Sequence, residues 1–223
     1  MTGISAIARA ISAPVLIFAV VVNAPVSAQT TASLGESASA RTASVDGFRS
    51  AEFGMDKSQV LAAIDADFGL SGESVVEGQN TIERTSLLSI SSSGVLEGGG
   101  VAQVSYVFGY TSQTLIQVGI SWGADTDPSM TEAQIVANGD VLRNHFITSG
   151  YVPDTIETGT VLDNGILLFR GKDADGRAAI LLLQGRFSAD GSGTRVMSPS
   201  NLALIYAVDP DTPDIFRIKD GDF

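Results

Sequence analysis

The chain has 223 residues, with 13 bases against 25 acids, one His and no Cys, for a formal net charge of −12. Without Cys there is no disulfide, thiolate nucleophile or Cys-ligated cluster, and one His cannot build a two-histidine site. The acidic balance excludes a phosphate-backbone binder, whose affinity rests on Lys and Arg.

Residues 1–28 contain no acid and one base, Arg9. An apolar run from Ala13 to Val22 follows, then Asn23-Ala24-Pro25 and the small-residue tripeptide Val26-Ser27-Ala28. Basic, apolar and small-residue regions in that order are those of a secretory signal peptide, with cleavage expected after Ala28. An uncleaved anchor is the alternative, but a ten-residue helix reaches about 15 Å, half a bilayer core. No Cys lies near the cut to carry a lipid, and loss of Arg9 takes the net charge to −13. No later segment approaches the ~18 consecutive apolar residues of a span. The expectation is a periplasmic or secreted protein with no stable membrane span after signal cleavage, holding its fold by packing alone. Residues 29–45 are small and polar, with Leu34 and Val45 as the only sizeable apolar side chains, and read as a flexible Ser/Ala/Thr-rich linker.

The first helix announces itself at Asp56. Gln59 three residues on completes a capping box, and Met55 with Val60 can form a hydrophobic staple. Val60, Leu61, Ile64 and Phe68 make one apolar stripe, and Gly69 stands where a helix stop belongs. A similar start lies 75 positions on, where Met130, Thr131, Gln134 and Ile135 match Met55, Asp56, Gln59 and Val60. Its stripe is Ile135, Leu142 and Phe146, with Gly139 between them and Gly150 as the stop. Ser129 with Glu132 is a competing cap. After the first helix, strands are predicted over 81–90, 101–110 and 114–122; after the second, over 159–170, 178–187 and 202–208. Asp173-Ala174-Asp175-Gly176 reads as a hairpin turn. The expected fold is α+β, a tandem repeat of a helix followed by a three-stranded antiparallel sheet, with repeats at 46–126 and 127–223 and an acidic C-terminal extension.

The segment Phe53-Gly54-Met55-Asp56-Lys57-Ser58-Gln59-Val60 resembles the Gly-Met-Ser/Thr-x-x-Gln-Val helix start of SmpA/OmlA-type small envelope proteins. Those proteins resemble β-lactamase inhibitor protein in fold, itself a tandem repeat of helix-plus-antiparallel-sheet units. The resemblance covers about eight residues near each helix start and the order of elements. It implies periplasmic scaffolding or protein binding without catalysis. The chain lacks both the lipidation Cys of the one branch and the paired Cys of the other, so no functional residue is carried over.

Motifs for chemistry are sparse. His145, near the end of the second helix, has no Gly-x-Ser-x-Gly elbow to serve and reads as a capping charge at the negative helix end. Residues 171–176 fail as a calcium loop, because Gly171 and Leu182 fall at ligand positions. The acids of 209–214, with Asp220 and Asp222, could take calcium weakly but read as a Pro-stiffened solvated loop. Asp67-Phe68-Gly69 lacks every other kinase motif, and Gly98-Gly99-Gly100 has no following helix to hold a phosphate, so it reads as a mobile loop. The C-terminal Phe223 follows a charged stretch that breaks the alternation of a membrane barrel strand. No metal or cofactor site is expected.

What remains is a surface. Tyr106, Tyr110 and Trp122 are candidate partner anchors, with completion of the core as the competing reading. The sequence therefore points to a non-catalytic exported module that binds a protein partner in the cell envelope. A carboxylate-based saccharide hydrolase and a small solute-binding module are the alternatives.

Overall fold

Asp56 starts helix α1 (Lys57–Phe68) by accepting the Gln59 N–H at 2.9 Å, while the Gln59 side chain accepts the Asp56 N–H at 2.9 Å. Gly69 ends it at φ 65°, a left-handed cap that any β-carbon would strain. Helix α2 (Glu132–Ile147) starts at Thr131, whose hydroxyl accepts the Gln134 N–H. Here the box stays half-made, because the Gln134 side chain donates instead to the Gly98 carbonyl. Gly139 lets α2 close on the sheet: a β-carbon there would lie 2.9 Å from Leu168 Cδ1.

The computed structural model describes residues 42–189, 191–192, 195–218 and 221. The signal peptide and most of the expected linker lie outside the described residues. The body begins before residue 46, since Ala43 and Val45 are buried, with the Ala43 N–H on the Gly150 carbonyl and the Val45 N–H on Asp173 Oδ2.

A short hairpin, β1 (Gly47–Phe48) and β2 (Ala51–Glu52), precedes α1. The strands β3 (Val76–Asn80), β4 (Thr85–Ser92), β5 (Ala102–Phe108) and β6 (Leu115–Gly123) follow α1 as a meander. After α2 come β7 (Thr160–Leu162), β8 (Gly165–Lys172), β9 (Ala178–Ala189) and β10 (Arg195–Ala207). All eight form one antiparallel sheet in the order β3-β4-β5-β6-β10-β9-β8-β7. The expected tandem of a helix with a three-stranded sheet is therefore wrong. Among the described residues the chain is mostly antiparallel sheet, an eight-stranded and a two-stranded one, with two α-helices, and the boundary expected near 126 is crossed by the β6–β10 ladder.

The missed strands have physical reasons. β3 is Val-Glu-Gly-Gln-Asn, an edge strand with little apolar surface to signal it. β7 and β8 were expected as one strand, but Asp163-Asn164 turns the chain between them, and Gly185 N–H on the Asn164 carbonyl fixes the corner. β10 begins seven residues early because its first half pairs only with β9, through a bulge between Pro199 and Asn201. Together these halves project beyond β6 and β8 as a two-stranded arm.

Both helices lie on the same face. Phe146 of α2 stacks on Phe169 of β8 at 5.4 Å and meets Tyr206 of β10 at 6.3 Å, while Lys57 of α1 pairs with Glu77 of β3 at 2.5 Å. The hairpin joins them, with Phe48 stacked on Tyr206 at 6.3 Å. One core row crosses the sheet through Ile90, Val104, Ile120, Leu204, Leu181 and Phe169, all buried. Among the described residues no helix is long and apolar enough to cross a membrane.

Candidate functional site

The three expected anchors are not brought together. Tyr106 pairs with Leu88 and Val118, and Trp122 pairs with Leu202, so both point toward the helices and are fully buried. They belong to the core, and the reading of them as surface anchors is corrected. Alternation alone left this open, because it marks a face without saying which face the helices cover. Tyr110 lies in the β5–β6 turn, partly exposed, its ring edge-on to Phe216 at 5.6 Å.

Tyr106 Oη and Trp122 Nε1 have no hydrogen-bond partner among the described residues. Burial pushes the Tyr106 hydroxyl well above the ordinary phenol range; the charge of Asp67 adds to this and that of Arg49 opposes it. The nearby Tyr206 is pushed up to about 12 by burial. An unsatisfied buried hydroxyl is a stability cost. Tyr106→Phe is therefore expected to stabilise the protein by about 1 kcal/mol in urea unfolding. A measured loss would show that the hydroxyl is bonded in solution.

The face opposite the helices is the distinctive surface. One row runs Ser89, Ser105, Gly119, Ile205, Ile180, Arg170 from β4 to β8; the next runs Ser91, Gln103, Ser121, Ala203, Leu182, Leu167. The Ser89 and Ser105 hydroxyls meet at 3.0 Å, and Asn201 donates to Gln184 at 2.7 Å one row further on, which fixes these side chains on a common side. No helix covers this face among the described residues. A β-carbon built on Gly119, at its centre, meets nothing within 4 Å.

Its charge is equally distinctive. The eight strands contain a single acid, Glu77, and it faces Lys57 on the helix side. The strand bases on the open face are Arg170, Lys172 and Arg186. Arg195 lies on the other side of the arm, over the Phe187 ring at 3.9 Å. At the β7 edge Glu157 pairs by backbone with Arg170, on the same face, and accepts from Thr160 Oγ1 at 2.7 Å.

The C-terminal acids form a strap across the strand ends. Asp211 bridges Arg170 at 3.1 Å and Lys172 at 2.6 Å. Asp214 accepts the N–H groups of Thr111 at 3.0 Å and Ser112 at 2.8 Å, and Phe216 N–H reaches the Glu83 carbonyl while its ring lies 3.6 Å from Arg84. The hydrogen bond from Lys172 is the main reason the Asp211 carboxyl sits below the usual range. Burial raises Asp214, but the bonds from Ser112 and Thr111 together outweigh it. Asp209 is lowered chiefly by the Thr212 hydroxyl. The stretch expected to be a solvated loop is thus a set of intramolecular acceptors. Asp220 and Asp222 lie outside the described residues.

The other motifs resolve into architecture. His145 sits exposed in the last turn of α2, edge-on to Phe146 at 5.3 Å. Asp173, buried, organises the β8–β9 turn by accepting the N–H groups of Asp175 at 3.0 Å and Arg177 at 2.9 Å. The glycine loop expected to be mobile is pinned, with the Gly99 carbonyl on buried Asn138 Nδ2 at 2.8 Å. No group of three or more potential metal ligands occurs among the described residues.

No family model matches the chain, and no curated protein or solved structure matches it.

Proposed function

We propose that this chain is an exported, non-catalytic module of the cell envelope, periplasmic or secreted after cleavage following Ala28, and that it binds a protein partner on the open face of its sheet. The observation that carries the reading is the helix-free face centred on Gly119, whose strands β4 to β10 carry no Asp or Glu, in a chain whose net charge is −12. Small side chains there leave the sheet accessible, and the half-buried Ile205 and Ile180 supply apolar area beside them. The helix-start resemblance to SmpA/OmlA-type envelope proteins supports the same class of work.

Site-specific photo-crosslinking tests it. A photoreactive side chain at Gly119 is expected to capture one or a few discrete envelope proteins from intact cells. The same group at Val141, exposed on α2, is the control for nonspecific capture. Equal yields from the two positions, or none above background from Gly119, would overturn the reading.

A further inference from the structure

The open face has a chemistry of its own that narrows its occupant. Acids outnumber bases 25 to 13 in the chain, yet β4 to β10 contain no Asp or Glu, and the three bases on the open face mark out its β8 margin and its arm. A carboxylate of the chain itself already sits there: Asp211 reaches back from the strap to hold both Arg170 and Lys172. The pair is half-buried on the cation side and open on the acid side, with side-chain exposures of 17% and 26% for Arg170 and Lys172 against 54% for Asp211. The cations are thus built into the sheet, while the acid belongs to a terminal segment. Arg186, one arm length away on the same face, is exposed.

We propose that the partner presents a carboxylate-rich segment to this face, and that Asp211 occupies Arg170 and Lys172 until that segment displaces it. The inference rests on the docking reading above. Net repulsion between an acidic ligand and this chain is weakest over strands that carry no acid of their own, and like-charge juxtaposition elsewhere steers the ligand away from the other surfaces. The strap then sets a threshold, because a ligand must bind the two cations better than one tethered carboxylate does.

The probe is a short oligoglutamate peptide titrated into isotopically labelled mature protein at low salt, with oligolysine and Gly-Ser peptides as controls. Amide shifts are expected at Gly119, Ser105 and Ile205 with oligoglutamate only, weakening as salt rises. Asp211→Asn is expected to tighten binding at least threefold, and Arg186→Gln to weaken it at least threefold. Arg186 lies on the exposed arm, so its replacement leaves the core intact. The amides of Thr111 and Ser112, held by Asp214, report whether the strap stays seated in the Asp211 variant. The proposal is overturned by shifts confined to other surfaces, by equal binding of oligolysine, or by unchanged affinity in both variants. Capture from Gly119 combined with no oligoglutamate binding would defeat the ligand chemistry alone; failure of both would defeat the docking reading as well.

Discussion

Replacing Phe146 by alanine is expected to remove about 3–5 kcal/mol of unfolding free energy and to lower Tm by on the order of 10 °C. Phe146 is buried in the last turn of α2 and is the hub of an aromatic cluster. Its ring stacks on Phe169 and meets Tyr151 at 6.2 Å and Tyr206 at 6.3 Å, so one side chain ties the helix to β8, β10 and the segment after the helix. Truncation removes the transfer free energy of the ring. It also leaves a cavity that the flanking aromatics, themselves locked at 5.1 Å between Tyr151 and Phe169, can fill only in part. Val141→Ala on the exposed side of the same helix serves as the comparison and is expected to stay within about 0.5 kcal/mol. Urea unfolding of both variants decides the matter. A loss below about 1 kcal/mol for Phe146→Ala would mean that α2 is held to the sheet by other contacts.

Legibility followed how local each signal was. The Asp56 capping box, the Gly69 stop and the Thr131 start depend on residues within four positions of one another, and the observed boundaries fall where those residues predict. Strands were expected across the cores of β4, β5, β6, β8 and β9, with alternation marking β5 and β6. What escaped were features decided by distant partners. β3 is held at the edge by its ladder to β4, although its own residues are polar. The single sheet exists because β10 returns to pair with β6, eighty residues away in sequence, a choice that nothing in either strand announces. The same blindness misplaced the candidate site. Tyr106 and Trp122 carry a strand's alternation whichever side the helices choose, and the helices chose theirs. The open face, with its serines, Gly119 and Ala203, looked like the dull half of each strand. Its one legible mark was compositional: strands free of acid in an acidic chain.

That mark gives structural sense to the net charge. The acids gather on helices, turns and the strap, where Asp56, Asp173, Asp209 and Asp214 accept backbone N–H groups that would otherwise lack partners. Three bases remain on the sheet's open side. Surface charge and sheet exposure are therefore segregated by the same architecture that places both helices on one face.

Gly119→Trp is expected to lower the yield of the partner co-purified with the mature protein at least tenfold, equivalent to about 1.4 kcal/mol of binding free energy. The argument has two halves. On the side of the fold, the position tolerates bulk: a β-carbon there meets no atom within 4 Å, and the backbone is not in the left-handed region where glycine is required. Tryptophan also has better strand propensity than glycine, so stability should hold or rise by about 0.5 kcal/mol. On the side of the face, an indole at Gly119 would stand between Ser105 on β5 and Ile205 on β10, at the centre of the accessible row. A partner seated on that row must then give up its closest approach to the backbone. Val141→Trp on α2 adds the same side chain to the opposite side of the molecule and is expected to leave the yield unchanged. Quantitative mass spectrometry of the co-purified proteins, with urea unfolding of each variant to confirm the fold, separates the outcomes. A folded Gly119→Trp protein that retains its partner at the level of Val141→Trp would place the docking surface elsewhere, and a partner lost from both variants would point to a contact that reaches the helix face as well.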